Sequence, residues 1–207
     1  MRAAVAIFPG SNCDRDMAIA IKKITGKSPL KLWHKDTEAP NLDLIVIPGG
    51  FSFGDYLRCG ALAARSPIIK NIKNHVSRGG ALLGVCNGFQ ILIEANILPG
   101  SLVRNKKLLF TCRETTLEVQ DSIQSPFLSS FNTGDCLNIP VAHNEGNYIA
   151  NNELLKELEN NGRIAFKYKK SSEIETDYNP NGSLNDIAGI LSKNGRVLGM
   201  MPHPERS

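Results

Sequence analysis

A short apolar run that passes directly into a helical pattern is the feature that most restricts the fold of this chain. The run Ala81–Val85 is typical of a buried strand, and Asn87–Ala95 repeats apolar residues at helical spacing. Only Cys86 is left for the bend between them. Side chains two positions before and after so tight a bend would collide, and both positions, Gly84 and Gly88, are glycine. The segment therefore predicts a buried strand that turns into a helix through one residue.

Strand and helix patterns alternate through the first hundred residues. The runs Ala3–Phe8 and Leu42–Ile47 end in Pro-Gly and Pro-Gly-Gly, and a helical pattern over Asp14–Ile24 follows the first of them. Such alternation indicates an α/β fold with an open, mostly parallel sheet and helices on both faces. Further on, β-like runs without strong helices between them predict a small antiparallel insertion; they are Leu108–Cys112, Thr116–Val119 and Leu137–Ala142.

The last third of the chain carries weaker signals of the same kind. A short polar helix is predicted over Asn151–Asn160 and a strand over Arg163–Tyr168. The apolar runs Ile187–Leu191 and Arg196–Met201 flank an Asn-Gly pair, which is a strong hairpin signal. With 207 residues and 42% hydrophobic content, the chain is predicted to form a single domain over residues 1–207.

Charge and hydropathy exclude several classes of function. The 24 basic residues exceed the 20 acidic ones only slightly and form no block, so no nucleic-acid partner is expected. The apolar runs are too short to cross a bilayer, and the first residues lack the pattern of a signal peptide, so the expectation is a cytoplasmic protein with no membrane partner. Five scattered cysteines without a C-x-x-C pair predict neither a disulfide framework nor a metal site.

The cysteine at the bend has the features of a nucleophile. Gly84–Gly88 has the G-x-nucleophile-x-G form of a nucleophile elbow, which exposes the central side chain beyond the strand ends. The start of the following helix favours thiolate over thiol and offers N–H groups to an oxyanion. Because most cysteines without such a setting are buried core residues, this is the expectation for the other four, Cys13, Cys59, Cys112 and Cys136.

A thiol nucleophile needs a base, and His203 is the best placed of four histidines. It follows the predicted strand Arg196–Met201, precedes a proline and stands two positions before Glu205. Residues i and i+2 of an extended segment point to the same side, so Glu205 can orient the imidazole. Base and orienting acid then complete a triad with Cys86.

Other polar segments indicate a function less strongly than the bend at Cys86 and the His203–Glu205 pair do. Gly49-Gly50, after a predicted central strand, offers unobstructed N–H groups that suit half of an oxyanion hole. His143 and Glu145 lie between small residues at a strand end, which indicates a loop near a pocket or partner. His75 is expected on a solvated helix face, and His34 at the end of a strand.

Several segments together resemble the class I glutamine amidotransferases, and within them the glutaminase subunits of phosphoribosylformylglycinamidine synthases. The resemblance covers essentially the whole chain. The elbow and the His-x-Glu ending carry the superfamily likeness, and the narrower likeness rests on further segments, namely Phe8–Asp14, Pro48–Arg58, His143–Gly146, Asn179–Ser183 and Met200–Arg206. It implies a flavodoxin-like amidotransferase fold and hydrolysis of glutamine.

The resemblance also implies roles for individual residues. Cys86 is expected as nucleophile, His203 as base and acid, and Glu205 as the orienting carboxylate. The oxyanion hole is expected from Gly50 and the backbone amides of Phe51 and Asn87, and contact with glutamine from two further residues, Gly49 and Gln90.

The resemblance assigns the remaining chemistry to other chains. No cofactor or metal is expected in this one; ATP and Mg²⁺ are expected on a large synthetase subunit that aminates formylglycinamide ribonucleotide with the released ammonia. A small adaptor subunit is a further expected partner. Two departures from the family pattern are that Asn144 stands where relatives often have Gly and that the chain stops at Ser207, where relatives usually continue a little.

Three alternatives stay open on the residues alone. One is the glutaminase subunit of another synthetase, such as pyridoxal-phosphate synthase. Another is a cysteine hydrolase of the related protease and deglycase group, which usually lacks the terminal His-x-Glu pair. The third is a regulatory module on the same fold, which predicts a missing triad member, whereas Cys86, His203 and Glu205 are all present.

Overall fold

The computed structural model describes residues 1–170 and 177–207. The chain divides into two compact units, Met1–Ile97 and Leu98–Ser207. The expectation of a single domain over residues 1–207 stays a prediction. Across the described ranges, no helix has the length and apolar character needed to cross a membrane.

The first unit alternates strands with helices, as the sequence predicts. Its strands are β1 (Ala3–Ile7), β2 (Leu30–Trp33), β3 (Leu44–Ile47) and β4 (Ala81–Val85), and its helices are α1 (Asp14–Thr25), α2 (Ile68–Ser77) and α3 (Asn87–Glu94). The strands lie in the order β2-β1-β3-β4, and all neighbours are parallel. The crossovers β1 to β2 and β3 to β4 run in opposite directions, so the right-handed rule puts α1 and α2 on opposite faces.

Burial in the first unit follows the apolar pattern. Ile45, Val46 and Ile47 of β3 are almost completely buried, as expected for a parallel strand that is covered on both faces. The expectation for His75 was wrong, because its ring is buried and its Nε2 atom lies 2.9 Å from the carbonyl oxygen of Ala81.

The second unit contains mainly antiparallel strands. They are β5 (Ser101–Val103), β6 (Thr111–Val119), β7 (Cys136–His143), β8 (Asn147–Ile149), β9 (Ile164–Lys169), β10 (Ile187–Leu191) and β11 (Val197–Met200), with one helix, α4 (Asn152–Asn160), among the described residues. Five of them form an antiparallel array in the order β11-β10-β9-β6-β7, and β5 pairs with β8. Strands were expected in these regions, but the two runs predicted over Leu108–Cys112 and Thr116–Val119 contribute to one strand, β6, and the joining of all five strands into one array was not among the predictions.

Some expected details of the second unit were wrong. The strand expected over Leu108–Cys112 begins only at Thr111, because the N–H of Leu108 bonds the carbonyl of Asn105 and closes a turn. The short strands β5 and β8 had not been predicted. Burial was also expected of the cysteines outside the bend, but Cys112 and Cys136 are exposed on β6 and β7, and Cys59 of the first unit is half-buried.

Candidate active site

The bend at Cys86 has the predicted geometry. Strand β4 ends at Val85 and helix α3 begins at Asn87, and Cys86 between them has φ 51° and ψ −107°. Positive φ is strained for a residue with a side chain and is typical of functional sites. A Cβ atom on Gly84 would lie 2.9 Å from the carbonyl oxygen of Gly88, and one on Gly88 would overlap the carbonyl oxygen of Ile47. The two glycines are therefore a steric requirement of the bend.

Cys86 is the residue from which α3 starts, and only 5% of its surface is exposed. The first N–H groups of a helix have no partner inside the helix, and they carry partial positive charge. Both properties stabilise a thiolate and an oxyanion close to the sulfur.

The side chain of Asn87 connects the bend to the loop that follows β3. Its Oδ1 atom accepts the N–H of Ser52 at 3.1 Å, and its Nδ2 atom donates to Gln90 Oε1 at 2.9 Å and to Asp55 Oδ1 at 3.2 Å. Asn87 and Gln90 are buried. The sequence assigned Asn87 a backbone role only, so this side-chain bridge is a feature that the pattern did not reveal.

The loop after β3 also pairs with the loop after β1. The N–H of Phe51 donates to the carbonyl of Gly10 at 2.9 Å, the carbonyl of Gly49 accepts the N–H of Cys13 at 3.2 Å, and Gly50 forms a bridge with Ser11. The Phe51 N–H is therefore already bound by the Gly10 carbonyl, and its role toward an oxyanion stays a prediction. The roles of Gly49, Gly50 and Gln90 toward a substrate stay predictions.

In the second unit, His203 and Glu205 form a buried pair. The His203 Nδ1 atom lies 2.8 Å from Glu205 Oε1, as the two-residue spacing predicts. The path between them is not extended, however: Pro204–Arg206 forms a single 3-10 turn. Among the described residues, the Nε2 atom of His203 and the Oε2 atom of Glu205 have no hydrogen-bond partner.

His203 is fixed at its backbone as well as at its ring. Its N–H donates to the carbonyl of Pro140 on β7 at 2.9 Å. Proline has no N–H of its own and is tolerated on a strand such as β7, which stands last in its array. With Nδ1 held by Glu205, the Nε2 atom is the position at which this imidazole can accept or release a proton.

The loop residues His143 and Glu145 have different surroundings. The Glu145 Oε1 atom lies 4.0 Å from the Nε atom of Arg104, whose side chain is largely exposed. His143, the last residue of β7, is buried among polar side chains that include Asn105 and Asn181. Asn105 was not a predicted site residue, because a single Asn outside a motif carries no signal, whereas Asn181 lies in a segment that supported the resemblance.

Comparisons with known proteins agree with these observations. The family model of the CobB/CobQ-like glutamine amidotransferase domain matches residues 1–207. The phosphoribosylformylglycinamidine synthase subunit PurQ of Ruegeria pomeroyi is 55% identical over 208 residues, which cover 100% of this chain and 89% of the relative. PurQ of Rhizobium meliloti is 53% identical over 205 residues, 99% of this chain and 89% of the relative.

A solved structure gives the same result at the level of the fold. The structure of PurLQS from Thermotoga maritima contains a chain that matches with a TM-score of 0.86 and 40% identity, covering 99% of this chain and 88% of that one. The predicted α/β fold is thereby confirmed. The chain belongs to the glutamine amidotransferase family, and within it to the PurQ glutaminase subunits of phosphoribosylformylglycinamidine synthase, an enzyme of purine biosynthesis.

Proposed function

We propose that Cys86, His203 and Glu205 act as a catalytic triad that hydrolyses glutamine. The Cys86 thiolate attacks the side-chain amide carbon, and the C–N bond breaks as His203 gives its proton to the departing ammonia. Water then loses a proton to His203 and attacks the glutamyl thioester, which releases glutamate and restores the thiol.

The conformation of Cys86 is the observation that carries this proposal. A residue with a side chain is held at φ 51° where a strand meets a helix, and two glycines make the bend sterically possible. Strain of this kind persists only when the surroundings enforce it. The His203–Glu205 pair adds support, because it has the form of a base with its orienting acid.

Glutamine, a synthetase subunit and an adaptor are the partners in this proposal. The relatives are subunits of phosphoribosylformylglycinamidine synthase, and the matching solved chain from Thermotoga maritima belongs to a structure of PurLQS. We place the ATP and Mg²⁺ of the amination on the synthetase subunit, and the complex in the cytoplasm. The ammonia formed at Cys86 then reaches formylglycinamide ribonucleotide on the synthetase.

Replacement of the nucleophile tests the proposal. In the complex assembled with the synthetase subunit, Cys86→Ala is expected to abolish synthesis from glutamine and to leave synthesis from added ammonia unchanged. The matched control is Cys112→Ser, which alters an exposed thiol of β6 and should preserve both activities. Loss of both activities in Cys86→Ala, or of neither, would contradict the assignment.

Partner dependence has its own test. Free hydrolysis would waste ammonia, so the isolated chain is expected to hydrolyse glutamine slowly and the assembled complex faster. Steady-state release of glutamate, measured with and without the synthetase subunit, gives the ratio. An isolated chain as fast as the complex would contradict activation by assembly.

A further inference from the structure

A buried cluster of polar side chains surrounds His143 in the second unit. The cluster consists of Asn105, His143, Tyr168, Asn181 and Ser183, all buried. The His143 Nδ1 atom lies 3.2 Å from Asn105 Oδ1, and its Nε2 atom lies 3.4 Å from Asn181 Nδ2. Both ring nitrogens of a buried histidine therefore face side-chain amides.

Backbone groups fix the orientation of the Asn105 side-chain amide. Asn105 Oδ1 accepts the N–H of Gly146 at 3.0 Å, while Asn105 Nδ2 donates to the carbonyls of Leu109 and His143, each at 2.9 Å. The oxygen of this amide must therefore be the atom that faces His143 Nδ1. It follows that Nδ1 carries a proton and donates it.

The Asn181 side-chain amide has the opposite orientation, with its NH₂ group toward the His143 ring. Asn181 Oδ1 accepts both the N–H of Ser183 at 3.0 Å and its hydroxyl at 2.6 Å, so Asn181 Nδ2 is the atom that faces His143 and also the hydroxyl of Tyr168, at 3.1 Å. An NH₂ group can only donate, so His143 Nε2 must accept and carries no proton. If the ring were doubly protonated, its Nε2–H donor would face the NH₂ donor of Asn181 with no acceptor between them.

This histidine lies on the strand that binds the backbone of His203, the base of the proposed triad. His143 ends β7, and the same strand holds the His203 N–H through the carbonyl of Pro140. Burial lowers the pKa of His143 to about 4, and the charge of His203 is the second cause of the shift.

We propose that His143 is a positioning residue for His203: the two amides hold its ring, and with it the end of β7 whose Pro140 carbonyl binds the His203 N–H, and they hold the ring in an uncharged tautomer that adds no second positive charge when His203 takes a proton. The proposal rests on the proposed function, in which His203 becomes an imidazolium. A charged neighbour would disfavour that state, because like charges in a buried site repel. Two titratable groups of the second unit lie at these rings: Glu205, beside His203, and Tyr168, which reaches His143 through Asn181.

Gly146 shows how closely the cluster is packed. A Cβ atom at this position would overlap the ring of His143, at the Cε1 atom of the imidazole. The main chain at Gly146 therefore lies directly against the ring. This explains in physical terms why a small residue stands three positions after His143.

The first test is spectroscopic and does not depend on activity. NMR of the full chain labelled with ¹⁵N in its histidine rings is expected to show His143 with a proton on Nδ1 only, from about pH 5 to pH 8, the range in which ordinary histidines titrate. A His143 signal that titrates in this range, or that shows the Nε2–H tautomer, would overturn the proposal. Either result would leave the role of Cys86 untouched, because Cys86→Ala tests that role separately.

The second test uses two variants in the assembled complex. His143→Leu removes both ring contacts, and kcat for glutamine is expected to fall by roughly 100-fold, the cost of a small misplacement of a catalytic group, with little change of KM. His143→Gln restores an uncharged side chain that can both donate and accept, and it should recover most of kcat. Synthesis from added ammonia should remain unchanged in both variants.

These variants also separate positioning from a merely structural role. If the role is merely structural, poor folding or assembly should reduce synthesis from glutamine and synthesis from ammonia equally. If His143 binds substrate, the KM for glutamine should rise. Either pattern, or full activity in His143→Leu, would overturn the proposal. If His143→Leu fails to assemble, the kcat of His143→Gln and the tautomer of the unaltered chain decide the question.

Discussion

The Nδ1 atom of His203 lies 2.8 Å from the Oε1 atom of Glu205, although the backbone between them turns. Both side chains are almost completely buried. A carboxylate at this position selects the tautomer of the imidazole and stabilises the imidazolium that forms when it takes a proton. Substitutions in this pair, and among the groups around Cys86 and His143, should therefore change the rate of glutamine use or the stability of the fold.

Glu205→Gln is expected to lower kcat for glutamine by roughly 10²- to 10⁴-fold, the range for loss of a group that supports general acid–base catalysis. The substitution preserves shape but removes the charge that stabilises the imidazolium. Steady-state rates of the assembled complex with glutamine and with ammonia measure the effect. Glu153→Gln changes an exposed acid of α4 and should leave both rates intact; a comparable loss there would point to a general effect of charge.

Asn87→Asp is expected to impair glutamine use although it is isosteric. The carboxylate can still accept the N–H of Ser52. It has no N–H to donate to Gln90 Oε1 and Asp55 Oδ1, however, so oxygen would face oxygen in both contacts. The ratio of the kcat/KM values for glutamine should correspond to a loss of about 1–3 kcal/mol, which is the cost of a buried polar group without its partner.

Asn87→Ala serves as the comparison for this position. It removes all three contacts and leaves the N–H of Ser52 without its bond, so it should impair the loop after β3 as well. If both variants use glutamine as well as the unaltered chain, the Asn87 bridge does not position the loop.

Gly88→Ala is expected to destabilise the fold by about 1–3 kcal/mol, as overpacking does, and to remove glutamine-dependent activity. The added methyl group would overlap the carbonyl oxygen of Ile47 on the neighbouring strand. Denaturant unfolding and the kcat of the assembled complex measure the two effects. Gly79→Ala is the control, because a Cβ atom there meets nothing within 4 Å and φ is 83°, so that only backbone strain is added and activity should persist.

The pH dependence of stability should contain a contribution from His143. Its pKa is about 4 in the folded chain and about 6.5 when unfolded, so between these values the unfolded state binds the extra proton. Stability is therefore expected to fall as the pH drops from about 6.5 to about 4, by up to roughly 1.4 kcal/mol per pH unit.

His143→Gln removes this titration, and its stability should change less over the same pH range. Free energies of unfolding from denaturant titrations at several pH values give the comparison. Equal pH dependence in the two chains would show that folding does not change the pKa of His143, which would contradict the prediction.

Much of the fold followed from neighbouring residues alone. Runs such as Leu42–Ile47 predicted buried parallel strands because the apolar pattern reports burial on both faces. The glycine at position 84 was predictable because a Cβ atom there would meet the carbonyl of Gly88, only four positions away, whereas the glycine at position 88 is required by Ile47 on the neighbouring strand. The contact of His203 with Glu205 was predicted as well, but the extended backbone on which that prediction rested is a 3-10 turn in the structure.

The tertiary structure decided the relationships between distant positions. The Phe51 N–H is bound because the loop after β1 brings the carbonyl of Gly10 to it, and no local pattern reports that meeting. The tautomer of His143 depends on two amides that lie 38 positions away on either side of it. Sequence spacing fixes sterics within a few residues, whereas the direction of a buried hydrogen bond depends on which distant groups the folded chain brings into contact.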